Sequence, residues 1–144
     1  MFAEHAKPTE PEVILLLRQY GIAPTAQRVL ITRVLFARGT HVAAEELFRL
    51  VNANNHPHVS KATVYNTLGL LAEKGVIRSV IADPQRVFYD PNTSPHYHLY
   101  DEVSGELTDI DASQIQVTGL PSMPDDVELQ GVDVIVRVRR NAGK

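Results

Sequence analysis

The sequence predicts an α+β chain: an N-terminal winged helix-turn-helix domain followed by a small α/β or mostly β dimerisation domain. Three features lead there. Apolar residues recur at helical spacing through the first half, between N-capping hydroxyls and glycine stops. At Val76 the texture switches to a strand–turn–strand pattern. Beyond a segment with two prolines, only short strand-like pieces follow.

The elements follow in order. Val13, Leu16, Leu17 and Tyr20 lie on one helical face, and Gly21 ends that helix. Thr25 is placed to N-cap a second helix, with Val29, Leu30, Val34 and Ala37 as apolar positions and Gly39 as its stop. Ala44, Leu47, Phe48 and Val51 define a third helix, which ends in the run Asn52 to Pro57. Ser60 caps a fourth, with Val64, Leu68 and Leu71 inward and Gly75 as terminator. Val76–Ile81, a turn over Ala82–Gln85, and Arg86–Tyr89 form a hairpin, and short helices followed by a hairpin give the winged-helix order. Strand-like pieces are expected at Tyr97–Tyr100, Glu106–Ile110, Ile115–Thr118 and Val132–Val138. Gly119 to Asp126 holds two prolines, which argues against a long helix there, and the tail from Arg139 onward is expected to fray. The predicted organisation is therefore a winged-helix module over residues 1–90, a linker at 91–95, and a second module over residues 96–144. DNA binding is assigned to the first, and dimerisation and metal sensing to the second, on the residues and the resemblance described below.

Composition excludes several chemistries. With no cysteine among 144 residues, disulfides, thiol catalysis, iron–sulfur clusters and cysteine-rich zinc sites are all ruled out. Any metal must be held by His, Asp and Glu. No apolar stretch is long enough to span a bilayer, and the N-terminus lacks the pattern of a secretion signal, so a cytoplasmic location with no membrane partner is expected. The net charge of −3 conceals an asymmetry: residues 1–90 hold ten Lys/Arg against eight Asp/Glu (+2), and residues 91–144 hold four against nine (−5). One half suits phosphates and the other suits cations.

On the fourth helix, placing Val64 inward puts Ala62, Asn66 and Gly69 on the opposite face, flanked by Thr63 and Tyr65. Small residues allow close approach to a major groove, and an amide pairs with adenine edges. Arg28, Lys61 and Arg86 are candidates for neutralising phosphates. The same pattern also describes an ordinary solvated helix face.

His96-Tyr97-His98 is an H-x-H on a predicted strand, so both imidazoles share one face. Asp90 lies just upstream, Asp109 on the next strand, and His41 at the mouth of the third helix. Three imidazoles and two carboxylates suit Fe²⁺ or Mn²⁺, one ion per chain, with zinc able to substitute. An isolated H-x-H is equally read as two surface histidines. His5, His56 and His58 have no partner in this set and read as surface residues.

Two motifs then carry a resemblance. Gly21-Ile22-Ala23-Pro24-Thr25-Ala26-Gln27-Arg28 resembles the G-[IL]-x-x-T-x-x-R opening of the ferric uptake regulator family. Ser60-Lys61-Ala62-Thr63-Val64-Tyr65-Asn66-Thr67-Leu68 resembles its recognition helix, with the core A-T-V-Y. The match runs from about residue 11 to residue 140. It implies a homodimeric, metal-responsive repressor of iron or manganese homeostasis genes on an inverted-repeat operator in double-stranded DNA, with no enzymatic activity and no small-molecule substrate. It places the recognition tyrosine at Tyr65 and its neighbour at Asn66. The regulatory site of the family's peroxide-sensing branch maps onto His41, Asp90, His96, His98 and Asp109, with all five identities matching. That likeness implies a second reading, peroxide sensing by iron-catalysed oxidation of a liganding histidine.

The family's C-terminal CxxC zinc pairs are absent here. In this respect, and in the segment from Gln114 to Lys144, the chain most resembles the iron-response (Irr-like) branch. Some members of that branch respond to haem, but here there is no cysteine and Tyr97 interrupts the histidines, so haem is the weaker candidate. A rival class is a cupin-like oxygenase, since His96-x-His98-x₃-Glu102 fits the start of its metal motif. The helical first half and the lack of any later histidine oppose it. A constitutive, metal-free winged-helix binder is the third reading.

Overall fold

The computed structural model describes residues 7–53 and 58–141; His5 and His56 lie outside them. The chain divides into two compact units, residues 1–93 and 94–144.

In the first unit, α1 (Glu10–Gln19) opens on a capping box. The Thr9 hydroxyl accepts from the Glu12 amide, and the Glu12 carboxylate accepts from the Thr9 amide. Helix α2 (Ala26–Arg38) is capped by Thr25 and stopped by Gly39 at φ 75°, a left-handed position that costs a side chain about 1–2 kcal/mol. A two-residue strand β1 (Val42–Ala43) leads into α3 (Ala44–Val51). Ser60 then caps α4 (Lys61–Glu73), its hydroxyl accepting from the Thr63 amide at 3.1 Å. The hairpin β2 (Arg78–Asp83) and β3 (Arg86–Asp90) turns tightly at Pro84–Gln85, where the Asp83 carboxylate accepts from the Gln85 amide at 2.8 Å. Together the strands form an antiparallel sheet in the order β1-β3-β2. The core lies among the helices, where Val13, Leu17, Ile31, Leu35, Leu47, Val51, Val64, Leu68 and Leu71 are fully buried.

Asn52 sets where α4 begins. Its amide nitrogen donates to the carbonyls of Phe48 and Val59, both at 3.0 Å, and its amide oxygen accepts from the Val59 N–H at 2.8 Å. One side chain thus ties the end of α3 to the residue preceding the α4 cap. Asn52→Ala leaves the Val59 N–H without that acceptor and is expected to destabilise the first unit by about 1–3 kcal/mol. A thermal melt should show the midpoint falling by several degrees; an unchanged midpoint would show that the loop holds its course without the amide.

In the second unit, β4 (His96–Asp101) is central, antiparallel to β5 (Leu107–Asp111) and parallel to β6 (Ile135–Val138). Two expectations need correction. Ile115–Thr118 follows a 3₁₀ turn (Ala112–Gln114), and Ile115 has extended dihedrals, but these residues pair with no strand among the described residues: β propensity alone found no edge to join. Of the alternating run Val132–Val138, only Ile135–Val138 is strand. Residues 115–134 are otherwise irregular apart from a turn at Asp125–Asp126, in line with the expected absence of a helix at Gly119–Asp126. The tail is tethered as far as Arg140: the Glu102 amide donates to the Val138 carbonyl, and Arg140 Nε lies 3.3 Å from the Asp101 carboxylate.

Candidate metal centre and nucleic-acid interface

Each unit brings together His and Asp side chains of the kind that ligate metals. In the second unit, the antiparallel register sets His98 directly opposite Asp109, and His96 two residues along β4 points to the same face. Both imidazoles are buried. His98 Nε2 lies 3.5 Å from Asp109 Oδ1, His96 Nε2 lies 3.8 Å from the same oxygen, and the two rings stand 4.6 Å apart. His96 Nδ1 is engaged at 2.8 Å by the Ser94 carbonyl, which fixes the ring and leaves Nε2 facing the carboxylate. Two donors each about 2.1 Å from a shared ion stand roughly 3.0–3.4 Å apart. The pair His98–Asp109 already has nearly this spacing, so the donor set fits a divalent cation.

In the first unit, β1 pairs with β3 so that Val42 faces Tyr89. Extending that register one step brings His41 beside Asp90. A ring nitrogen of His41 and a carboxylate oxygen of Asp90 lie within 4.8 Å. The His41 ring stands edge-on to Phe88 at 5.8 Å, and the Asp90 carboxylate also accepts from the Asn92 amide at 2.9 Å. The two-residue strand β1, which periodicity cannot detect, is what makes this pair.

The candidate DNA-reading residues all belong to the first unit. On α4, Val64, Thr67 and Leu68 are buried while Lys61, Ala62, Tyr65, Asn66 and Gly69 are exposed, the inward and outward faces expected from the 3.6-residue period. Thr63 is half-buried, and its hydroxyl accepts from the Ser60 hydroxyl at 2.9 Å, which ties it to the helix cap. Arg28, in the first turn of α2, donates from Nη1 to the Ala23 carbonyl at 3.1 Å. Residues of α2 and α4, among them Gln27, Arg28, Thr63 and Asn66, line an open cleft of about 240 Å³. Arg86, on the hairpin, is exposed, with its guanidinium 5.9 Å from the centre of the Phe88 ring. His58 is exposed and lies edge-on to Phe48 at 6.2 Å.

Two residues escaped sequence reasoning. Gln27 precedes Arg28 in the recognised motif and could have been found there. Glu45 could not, because only the fold brings the first turn of α3 to α4. Its Oε2 accepts from Lys61 Nζ at 2.9 Å and from the Tyr65 hydroxyl at 3.2 Å. These bonds, Lys61's first, hold the Glu45 carboxyl below the usual carboxylate range, and Glu45 in turn pushes Lys61 up. Burial, and then the bond to Glu45, push Tyr65 up.

Comparison with known proteins bears on this arrangement. The sequence profile of the ferric uptake regulator family matches residues 19–134. The peroxide-responsive repressor PerR of Staphylococcus aureus is 34% identical over 104 residues, covering 72% of this chain and 70% of that protein. The fold is shared with the ferric uptake regulator of Pseudomonas aeruginosa, solved with manganese (TM-score 0.68, 22% identity, 88% of this chain and 96% of that one). It is shared equally with the regulator Fur of Helicobacter pylori, described as having three functional metal-binding sites (TM-score 0.65, 16% identity, 93% of each chain). On the extent of the profile match and the identity to a curated repressor, the chain belongs to the ferric uptake regulator family of metal-responsive DNA-binding repressors.

Proposed function

We propose that the chain represses iron or manganese homeostasis genes as a homodimer on an inverted-repeat operator, and that His41, Asp90, His96, His98 and Asp109 hold its one regulatory Fe²⁺ or Mn²⁺. The observation that carries this reading is the His96/His98/Asp109 group, whose donor spacing suits chelation. The His41–Asp90 pair supports the other half of the ligand set. Imidazole and carboxylate without thiolate favour Fe²⁺ or Mn²⁺, with zinc as a substitute in vitro. Held by those five residues, a divalent cation would supply a multidentate cross-link, and DNA binding would then depend on its occupancy. Occupancy would shift the DNA-binding equilibrium only as far as the ion preferred one state, and a hundredfold preference is about 2.7 kcal/mol.

The DNA-reading side rests on the exposed face of α4, with Ala62, Thr63, Tyr65 and Asn66 toward base edges and Arg28, Lys61 and Arg86 toward phosphates. Dimerisation falls to the second unit, where Leu120, Met123, Val127, Leu129 and Val136 are exposed along the irregular segment and β6. In a two-fold dimer, paired reading helices call for an inverted repeat. No helix among the described residues is long and apolar enough to cross a membrane, consistent with action in the cytoplasm. The cysteine-free segment from Gln114 onward, irregular between residues 115 and 134, supports kinship with the iron-response branch.

Selection from a random pool of DNA duplexes, run with Mn²⁺, anaerobic Fe²⁺, Zn²⁺, haem or a chelator, tests the proposal. One inverted repeat should be enriched in a metal-dependent way, whether metal promotes or relieves binding. Equal enrichment of the same sequence with metal and with chelator would leave a constitutive binder instead. The 34% identity to PerR favours a second reading, in which peroxide oxidises a liganding histidine of the iron form. Mass spectrometry after peroxide treatment should then find added oxygen on His41, His96 or His98, and its absence from all three would reject that reading.

A further inference from the structure

We propose that Glu45 is a built-in competitor for DNA: its carboxylate holds the Lys61 ammonium and the Tyr65 hydroxyl, and a duplex gains those two donors only by displacing it. The inference rests on α4 being the DNA-reading helix. A face that meets phosphates has no electrostatic use for a carboxylate, yet one from α3 binds two of its side chains. Packing does not require it there, since the Glu45 side chain is 50% exposed.

The geometry is specific to this carboxylate. Lys61 and Tyr65 are four residues apart on α4, so they share one face, and a single oxygen of Glu45 accepts from both. Lys61 Nζ also lies 5.7 Å from the centre of the Tyr65 ring, so the three side chains form one cluster. Glu46, the next residue, is directed elsewhere and pairs with Arg38 at 3.0 Å. Arg49, about one turn further along α3, is the other cation whose charge bears on Glu45.

Two consequences follow. While Glu45 neutralises Lys61, generic contact with a phosphate must break a contact already made, so binding to arbitrary DNA is weakened. Lys61 also releases no counterion until it is freed, which flattens the salt dependence. Tyr65 shares the same oxygen, so it too must leave Glu45 before it can contact a base. Glu45 therefore lowers affinity for any duplex, and only one that makes further contacts offsets that cost.

The test uses the full chain and a fluorescently labelled duplex of random sequence, with affinity measured by anisotropy from about 50 to about 200 mM KCl. Wild type, Glu45→Gln, Lys61→Gln and the double variant are compared. All carry exposed substitutions, and circular dichroism checks that the fold is kept. Glu45→Gln should bind roughly two- to fivefold more tightly, the range set by a surface ion pair. Its log–log salt slope should be steeper by about 0.9, one additional phosphate contact. In the Lys61→Gln background, the same Glu45→Gln change should gain clearly less. Equal gains in both backgrounds would mean that Glu45 acts only as a distant negative charge, and the proposal falls. If Lys61→Gln weakens binding but Glu45→Gln does not strengthen it, the competitor role fails while α4 remains the reading helix. If Lys61→Gln leaves affinity for random DNA untouched and Asn66→Ala leaves untouched the binding of the operator found by selection, the reading helix itself is misassigned and the proposal falls with it.

Discussion

Replacing Asp109 with Asn is expected to weaken Mn²⁺ binding by at least about 100-fold while leaving the metal-free protein folded. Loss of supporting groups around a metal typically lowers its affinity 10- to 100-fold, and a direct ligand sets the upper end of that range or beyond. Asp109 is the cleaner position for the test. Its side chain is 48% exposed, whereas His98 is 3% exposed, so His98→Ala removes a buried ring as well as a donor. Asn preserves the shape of Asp but removes the charge that a divalent cation needs. Calorimetric titration reads the affinity directly. The melting midpoint gives a second readout, because an ion present at 100 times its dissociation constant stabilises the folded form by about 2.7 kcal/mol. Wild type should therefore melt several degrees higher with Mn²⁺ than with chelator, and Asp109→Asn should not. Metal-dependent operator selection should vanish with it. Wild-type affinity and a wild-type shift in the variant would remove Asp109 from the ligand set. With it would go the reading of the β4–β5 face as a metal centre.

Why the sequence showed some of this and hid the rest follows from how local each signal is. Thr25, Ser60, Gly39 and Gly75 mark helix ends because a cap is a contact within a few residues. The capping box of Thr9 and Glu12 was equally readable, since S/T-x-x-E is a local pattern. The hairpin turn was legible from its proline and from the Asp83 side chain. Strand β1 was not, because two residues carry no period and Val42–Ala43 is a strand only through its pairing with β3. Parallel pairing of β6 with β4 joins residues 37 apart (His98 with Ile135), and nothing in either segment specifies it. The face shared by His96 and His98 was legible from alternation. The position of Asp109 across from His98 was not: its place on the next strand made it a candidate and the family likeness supported it, but only the register sets it opposite His98. Glu45 is the clearest miss: twenty residues separate it from Tyr65, and a glutamate in the first turn of a helix looks sufficiently explained by the helix dipole.

Helix α4, the proposed reading helix, also rests on its buried side, where Leu68→Ala is expected to cost about 2–5 kcal/mol. Leu68 is 0% exposed, within the cluster formed by α1 to α4. Removing it takes away buried hydrocarbon and leaves a cavity that the close-packed helices around it can collapse into only in part. For a unit of this size each kcal/mol lowers the melting midpoint by about 4–8 °C, so a fall of at least about 8 °C is expected. Leu15→Ala on α1 is the matched control: the same chemistry at a side chain 59% exposed should change stability by no more than about 0.5 kcal/mol. Scanning calorimetry distinguishes the units, since the loss belongs to the transition of residues 1–93. A stable metal-free protein with Leu68→Ala would mean that α4 is held by its cap and the Asn52 tie alone. Its reading face would then be free to shift against α2, and Arg28 and Asn66 would have no fixed spacing from which to recognise one operator.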